Sequence, residues 1–436
     1  MNGTVVLIGR LISFSPPYLA FLILFGMIPV FAVVDLIGVK WHSGITVVFY
    51  GAALCWTLLL TWNRRQHLSS LNVLDLLLVL FVLVILVSIV LHGKVADLVT
   101  GYPRYLPFFL VAPYLCGRLM TQRDIELFVR ILVYAGLAIL PALLWEAYTS
   151  PVHAGRQTFF GMSHTPLLVG GLLAFSLLAV GAQGNTEQCV RQQPCKQTLQ
   201  YAWMSVIAGF LVWVSARGWV IAAAFGFSVL LSASLWNVEL GKTYFRRFLF
   251  VIASMWLTFL ILPHIDDFYA QLGFGGSTRF TEHSEHGPIL GLSSCHPIMA
   301  GTDSVTIRWV LYHEAVAQFL RAPLMGTGAG LFGERSCLGA GGFPHSTVLQ
   351  SFSELGVVGG VIFLALLATA TINLFRLTAW EKDLAGKANL LLVQAFLVTY
   401  LIADQIYGNY FMASGTYFTL GVITALQGRT CQLSKG

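Results

Sequence analysis

Long apolar runs separated by short polar segments dominate the chain. Because a bilayer requires roughly 20 apolar residues per helix, each run predicts a membrane-spanning helix. About twelve such helices are predicted, at 18–38, 43–61, 71–91, 102–119, 127–147, 164–183, 199–215, 217–236, 247–263, 348–375, 388–405 and 409–427. The predicted fold class is therefore an all-α polytopic membrane protein.

The composition changes this picture little but excludes two other classes. Of 436 residues, 57% are hydrophobic and only 10% are charged, whereas a soluble domain carries about 25% charged residues. Intrinsic disorder is excluded as well, because aromatic side chains are plentiful. No feature of the chain indicates a nucleic acid partner.

The basic residues predict how the helices are oriented. An even number of spans puts both termini on one side, and sixteen of the 25 Lys and Arg residues then lie on that side. Short loops on the other side hold five, and one long loop holds the remaining four. Under the positive-inside rule this bias predicts cytoplasmic N- and C-termini.

One long polar segment, residues 264–347, interrupts the apolar pattern between the ninth and tenth spans. It holds six of the eleven histidines and is rich in glycine. Residues from about Val305 to Leu320 show helical periodicity and are followed by Pro323, so the loop is expected to be partly helical. The chain thus divides into helices 1–9 at 1–263, an outer loop domain at 264–347, and helices 10–12 at 348–436.

Three residues at the outer interface are the main candidates for chemistry. Arg217 lies in a tight turn between two spans, where its guanidinium either binds a phosphate or contacts lipid headgroups. Arg308 lies near the start of the loop helix and either supplies a second cation or forms a surface salt bridge. His345 lies where the loop meets the tenth span; a helix N-terminus there favours the neutral imidazole, which either accepts a proton or serves only to cap the helix or contact headgroups.

Other polar residues are weaker candidates. Cys295 and Cys337 share the outer loop, where an oxidising compartment would permit a disulfide, although the sequence leaves the geometry open. The glycine-rich Gly326–Gly330 segment is interpreted as a bend, not a nucleotide loop. Secondary positions at the same interface are Arg104, Ser346, Asp404 and Tyr407, which either line a substrate groove or mark the interface. Metal ligation by His283 with His286, or by Asp266 with Asp267, is an alternative that the sequence favours less than a solvated loop.

A short motif resembles a known family. His345 and Ser346 are followed by nine residues and then by Gly356 and Gly359. This matches the His-[Asn/Ser/Gln]-x9-Gly-x-x-Gly pattern of bacterial O-antigen ligases, within the superfamily of ligases and O-antigen polymerases. The number of spans, the long loop before the tenth span and the contexts of Arg217 and Arg308 are similar too.

The resemblance implies a fold akin to that of the GT-C-like membrane glycosyltransferases, in the bacterial inner membrane with the active site facing the periplasm. It implies transfer of O-antigen polysaccharide from undecaprenyl pyrophosphate to a sugar hydroxyl of lipid A–core, completing lipopolysaccharide. In this family the reaction is regarded as inverting and metal-independent, so no cofactor is expected. Carried onto this chain, His345 is the catalytic residue, and Arg217 and Arg308 bind pyrophosphate.

Three alternatives remain open. An O-antigen polymerase uses the same donor with a second lipid-linked glycan as acceptor, and a protein O-oligosaccharyltransferase uses a protein acceptor. A lipid-linked glycan transporter is a different class. It is disfavoured because the chain shows no internal repeat and the span interiors are nearly free of charge.

Overall fold

The computed structural model describes residues 16–36, 43–65, 71–96, 98, 101–149, 165–182, 194–213, 217–232, 237–271, 304–336 and 342–433. The α-helices in these ranges are numbered here in chain order. They are α1 (Pro16–Phe25), α2 (Met27–Leu36), α3 (Ser43–Asn63), α4 (Val73–Leu91), α5 (Ala112–Arg118), α6 (Gln122–Thr149), α7 (Thr165–Ala182), α8 (Pro194–Trp213), α9 (Arg217–Leu231), α10 (Val238–Gln271), α11 (Ser304–Arg321), α12 (Thr347–Trp380), α13 (Leu384–Ile406) and α14 (Ser414–Leu433).

Most described residues of the twelve predicted spans are helical, but the predicted tenth span is interrupted at Gly356, and 409–413 of the predicted twelfth span precede α14. Among the described residues, five helices are long and apolar enough to cross a membrane, or six if the bent pair α1–α2 is one span. The five lie at Gly44–Asn63, Val73–Leu91, Gln122–Trp145, Thr347–Trp380 and Gly386–Ile406. The chain is thus an integral membrane protein built of helices, and the count of twelve crossings stays a prediction.

The predicted fourth span, 102–119, is not one regular helix. A 3₁₀ turn (Tyr102–Tyr105) and a π-helical turn (Pro107–Val111) precede α5. Proline accounts for this irregularity, because Pro103, Pro107 and Pro113 each lack the backbone N–H that a continuous helix uses.

Glycine allows the helices that carry this part of the molecule to approach closely. A Cβ at Gly226 of α9 would overlap the Thr399 side chain of α13, and a Cβ at Gly117 of α5 would overlap the Phe418 carbonyl of α14. In lipid, where the hydrophobic effect between helices is absent, such close packing is a main source of association. At residue 226, glycine allows α9 to pack closely against α13.

Polar contacts gather at two opposite ends of the bundle. At one end, Arg118 pairs with Asp75 at the start of α4 (3.3 Å), and Arg64 pairs with Asp124 (3.7 Å). At the other end of α4, the Ser88 hydroxyl accepts a hydrogen bond from the Ala329 amide (3.0 Å). Because Asp75 and Ser88 lie about 20 Å apart along α4, these two groups of contacts lie toward opposite ends of a candidate span.

The loop domain has a small hydrophobic core of its own. The structure confirms the predicted loop helix as α11, and Leu311 and Ala315 on its inner face pack with Phe332. Leu349 of α12 packs against this cluster. The loop helix is therefore held directly on the first turns of α12.

Candidate functional site

The N-terminus of α12 positions His345. Ser346 caps the helix, and its hydroxyl accepts a hydrogen bond from the Leu349 amide (3.3 Å). His345, one residue earlier, has a positive φ of 57°. Its half-buried ring lies 4.5 Å from the ring of Phe343, measured between centroids. His345 therefore lies directly before the capped N-terminus of α12.

The side chain of Gln405, at the end of α13, holds this turn in place. Its Oε1 accepts from the Ser346 hydroxyl (2.7 Å), and its Nε2 donates to the Thr347 hydroxyl oxygen (2.8 Å). The Val348 amide lies 3.4 Å from the same Oε1. One amide side chain therefore binds the first three residues after His345.

Tyr407, two residues later, connects two further elements. Its hydroxyl oxygen accepts a hydrogen bond from the Gly218 amide in the first turn of α9 (2.7 Å). The Arg308 guanidinium lies over its ring, 5.5 Å from the centroid. A cation over an aromatic face is attracted by the ring quadrupole. Tyr407 thereby ties the turn that begins at Arg217 to the helix that carries Arg308.

Gly218 must be glycine for this contact to form. A Cβ at residue 218 would lie 2.5–2.6 Å from the ring carbon and hydroxyl oxygen at the tip of Tyr407. The backbone of α9 therefore approaches the phenol as closely as a hydrogen bond allows. The Arg217 backbone begins this helix, whereas its side chain lies outside the described part of the structure.

A second tyrosine fastens α11 to the same segment. The Tyr312 hydroxyl, one turn after Arg308, donates to the Gln405 carbonyl (2.9 Å). Burial raises the pKa of Tyr312, while the Arg308 charge acts to lower it. The phenol therefore stays protonated at neutral pH and remains a donor.

Together these contacts join three elements that are distant in the sequence. Gln405 and Tyr407 contact the start of α9, the first half of α11 and the start of α12, which carry Arg217, Arg308 and His345 respectively. The sequence predicted that these three residues would meet at one interface. Their elements do meet there.

Of the secondary candidates, Tyr407 and Ser346 belong to this site, whereas Asp404 and Arg104 contact other groups. Ser346 serves as the helix cap, and Asp404 accepts a hydrogen bond from the Thr416 hydroxyl. Arg104 stacks on the neighbouring Tyr105 ring, 4.8 Å from its centroid, and donates to the Tyr105 hydroxyl (2.7 Å). Cys295 and Cys337 lie outside the described residues, so their pairing stays a prediction.

A buried carboxylate fixes the glycine-rich turn that the sequence interpreted as a bend. Glu354 is only 1% exposed, and it accepts hydrogen bonds from the Gly330 amide (2.8 Å) and the Phe332 amide (3.2 Å). Gln350 and the Tyr410 hydroxyl donate to the same carboxylate (3.2 and 2.7 Å). The amides of this turn therefore bind a side chain of the protein. The glycines of the turn position the chain beneath the loop domain.

Gln405 and Tyr312 contribute to the candidate site but show no pattern of charge or spacing in the sequence that would single them out, although Gln405 is adjacent to Asp404, a candidate at the end of a predicted span. The described residues contain no cluster of three or more His, Cys, Asp or Glu side chains that could hold a metal ion. The side chains of Asp266, Asp267, His283 and His286 lie outside the described part of the structure.

Comparison with known families gives a match over part of the chain. Residues 202–364 match the family model of the O-antigen ligases. The integral membrane protein therefore contains a segment that matches this family, and the match supports the resemblance that the His345 motif indicates. The matched segment includes Arg217, Arg308 and His345. No curated protein matches the chain.

Proposed function

We propose that this protein is an O-antigen ligase. It transfers O-antigen polysaccharide from undecaprenyl pyrophosphate to a sugar hydroxyl of lipid A–core, at the periplasmic face of the bacterial inner membrane. The observation that carries the proposal is the contact of Gln405 and Tyr407 with all three elements that bear Arg217, Arg308 and His345. The family domain supports the same reaction class.

The two arginines bind the donor pyrophosphate. Breaking the bond between the sugar and the phosphate develops negative charge on the leaving group, and cations placed there stabilise it. A single well-placed donor of this kind contributes about 3–4 kcal/mol in other enzymes. Arg308 is suited to this role because Tyr407 orients its guanidinium without neutralising it.

His345 assists the acceptor. The acceptor hydroxyl oxygen attacks the anomeric carbon from the face opposite the pyrophosphate, so the configuration inverts. The bond from this carbon to the phosphate oxygen breaks, undecaprenyl pyrophosphate leaves, and the hydroxyl proton passes to the neutral imidazole. Such general base assistance contributes about 10²–10⁴-fold to the rate.

In vitro transfer with purified protein, lipid-linked polysaccharide and lipid A–core tests the proposal. We expect ligation to continue with EDTA present, because arginines replace a metal ion in this scheme. Loss of ligation in EDTA, restored by a divalent cation, would contradict the arginine mechanism. Polymerisation of the donor without transfer to lipid A–core would identify a polymerase instead.

Substitution of Arg217 tests its assigned role in binding pyrophosphate. Arg217→Lys should fail to transfer, because a lysine ammonium cannot bind phosphate in the bidentate manner of a guanidinium. The control is Arg335→Lys, at an exposed arginine of the loop domain, which should remain active. A fully active Arg217→Lys variant would exclude a bidentate clamp.

His345→Ala should abolish ligation while donor binding stays measurable, since the imidazole acts on the acceptor. His313→Ala, at an exposed histidine of α11, is the control. Loss of donor binding in His345→Ala would assign the histidine to structure or recognition.

A further inference from the structure

The outward face of α11 is apolar. Trp309, His313, Val316 and Leu320 follow each other at steps of four, three and four residues, which places them on one side of the helix. Trp309 is 64% exposed, Val316 46% and Leu320 69%, while Leu311 and Ala315 on the opposite side are buried. The only polar side chain in the stripe, His313, packs against the Trp309 ring at 5.0 Å.

A helix surrounded by water would carry polar residues on its outward face. Soluble surfaces rarely expose contiguous apolar patches, and a patch of this kind marks a contact with lipid or protein. Single exposed apolar residues are common, but a stripe over three turns of one helix is not. The stripe therefore requires a hydrophobic neighbour.

The stripe continues onto a membrane span. After α11 ends, Leu324 is 69% exposed, and the Pro323 carbonyl accepts a hydrogen bond from the Val357 amide of α12 (2.7 Å). Val358 and Val361 are exposed on α12 just beyond this junction. Because α12 is a candidate span, we expect these valines to face hydrocarbon, and the α11 stripe then extends the same surface.

The ends of α11 match the interface between lipid and water. Trp309, at the N-terminal end of the stripe, is a residue type enriched at this level of membrane proteins. Arg321, at its C-terminal end, is exposed and long enough to reach lipid phosphates.

We propose that α11 is an interfacial helix that lies in the plane of the membrane, with its Trp309–Leu320 stripe in contact with the acyl chains of the bilayer. The loop domain is then seated in one leaflet and does not stand above it in water. Arg308 precedes Trp309 in the chain, so this seating sets the guanidinium at headgroup level. The lipid contact is independent of the reaction and goes beyond the proposed function.

Photo-crosslinking of the full chain in liposomes of phosphatidylethanolamine and phosphatidylglycerol tests this contact. The photoreactive residue p-benzoylphenylalanine is introduced at position 316 or 320. Position 361 on α12 serves as the lipid-facing control, and position 334, whose glutamate is exposed beside Lys94, serves as the aqueous control. We expect phospholipid adducts at 316 and 320 in yields comparable to 361, with none at 334.

The competing occupants give different products. Adducts between two copies of the chain would assign the stripe to a dimer interface, and adducts within one chain would assign it to another segment of the loop domain. Absence of lipid adducts at 316 and 320, with adducts at 361, would place the stripe in water. Each of these results overturns the proposal, whether or not the protein transfers glycan.

Tryptophan quenching checks the same contact with a milder change. The fluorescence that Trp309→Phe removes from the wild-type signal is the Trp309 contribution. We expect brominated acyl chains to quench it and aqueous iodide to leave it largely unchanged. Trp62→Phe, at an exposed position of span α3, is the matched lipid-facing control. Quenching of the Trp309 signal by iodide alone would overturn the proposal.

Discussion

At the scale of single residues, Gln405 is the side chain on which the candidate site depends most. Its amide uses both of its functions, since the oxygen accepts from Ser346 and the nitrogen donates to Thr347. A leucine at this position retains the size but leaves both hydroxyls without these partners. A buried polar group that loses its partner costs about 1–3 kcal/mol. The turn at Ser346 and Thr347 can avoid this cost by moving.

We therefore expect Gln405→Leu to lower the rate of transfer by up to about 100-fold, because a displacement of about 1 Å of a reacting group has this effect. Donor binding should change little, since Arg308 remains on Tyr407. Single-turnover kinetics and donor titration separate the two quantities. Gln394→Leu is the matched control: it lies on the same helix and also loses a bond to a threonine, Thr378 (3.2 Å). Equal loss in both variants would indicate a general effect on α13.

Tyr407 offers a second test, because its hydroxyl and its ring contact different elements. Tyr407→Phe removes the acceptor for the Gly218 amide but keeps the ring beneath Arg308. Tyr407→Leu removes both. We expect donor affinity to fall modestly in the first variant and further in the second, by about 0.5–2 kcal/mol for the lost cation–π contact. Identical affinities in the two variants would show that the ring does not orient Arg308.

These residues also show what a sequence can predict at this scale. Arginine beside an apolar span is costly and therefore conspicuous, so the sequence indicates Arg217, and Arg308 follows as a second cation in the loop helix on the same side. Gln405 is neutral and lies at a helix end, where an amide is unremarkable. Its role depends on which helix ends meet, and that information is absent from the local pattern.

At the scale of elements, α12 was predicted as one span over 348–375, and the structure interrupts it. Gly356 adopts φ 66° and ψ −164°, a conformation that is open essentially to glycine alone. The residues from the cap to Leu355 form a short helix that is held by Gln405 at its start and by Glu354 near its end. Thus the segment after His345 is anchored to the loop domain, separately from the remainder of α12.

Gly356, a glycine of the His345 motif, is therefore required for a steric reason that the sequence alone does not reveal. A Cβ at Gly356 would overlap the Leu324 carbonyl, in addition to the cost of the positive φ. We expect Gly356→Ala to lower the free energy of unfolding by about 1–3 kcal/mol or more, measured as a lower midpoint of thermal unfolding in detergent. Gly51→Ala is the control, because nothing lies within 4 Å of a Cβ there. An unchanged midpoint in Gly356→Ala would contradict the break.

At the scale of the whole molecule, the bundle has two chemically different ends. The start of α9, the end of α13 and the start of α12 meet at the candidate site, and Lys94 pairs with Glu334 at the same end of α4 (3.0 Å). At the opposite end, Asn389 near the start of α13 donates to Glu126 (3.3 Å), close to the pair of Arg64 with Asp124. Apolar periodicity predicted the helices and the distribution of basic residues predicted the grouping of their ends, since both are properties of the chain in a bilayer. Which helices are neighbours depends on side-chain packing between distant segments, and this could not be predicted.

The orientation of the two ends remains a prediction, and it determines where the reaction takes place. In a variant in which the seven cysteines are replaced, a new cysteine at Glu334 marks the end with the candidate site, and one at Lys382 marks the other end; both positions are exposed. A maleimide that does not cross the inner membrane should label Glu334→Cys in intact cells and Lys382→Cys only after permeabilisation. The reverse pattern would place Arg308 and His345 in the cytoplasm. The positive-inside rule would then fail for this chain, and a periplasmic ligase would be excluded. Labelling at both positions after permeabilisation confirms that each cysteine is reactive, so the test depends on sidedness alone.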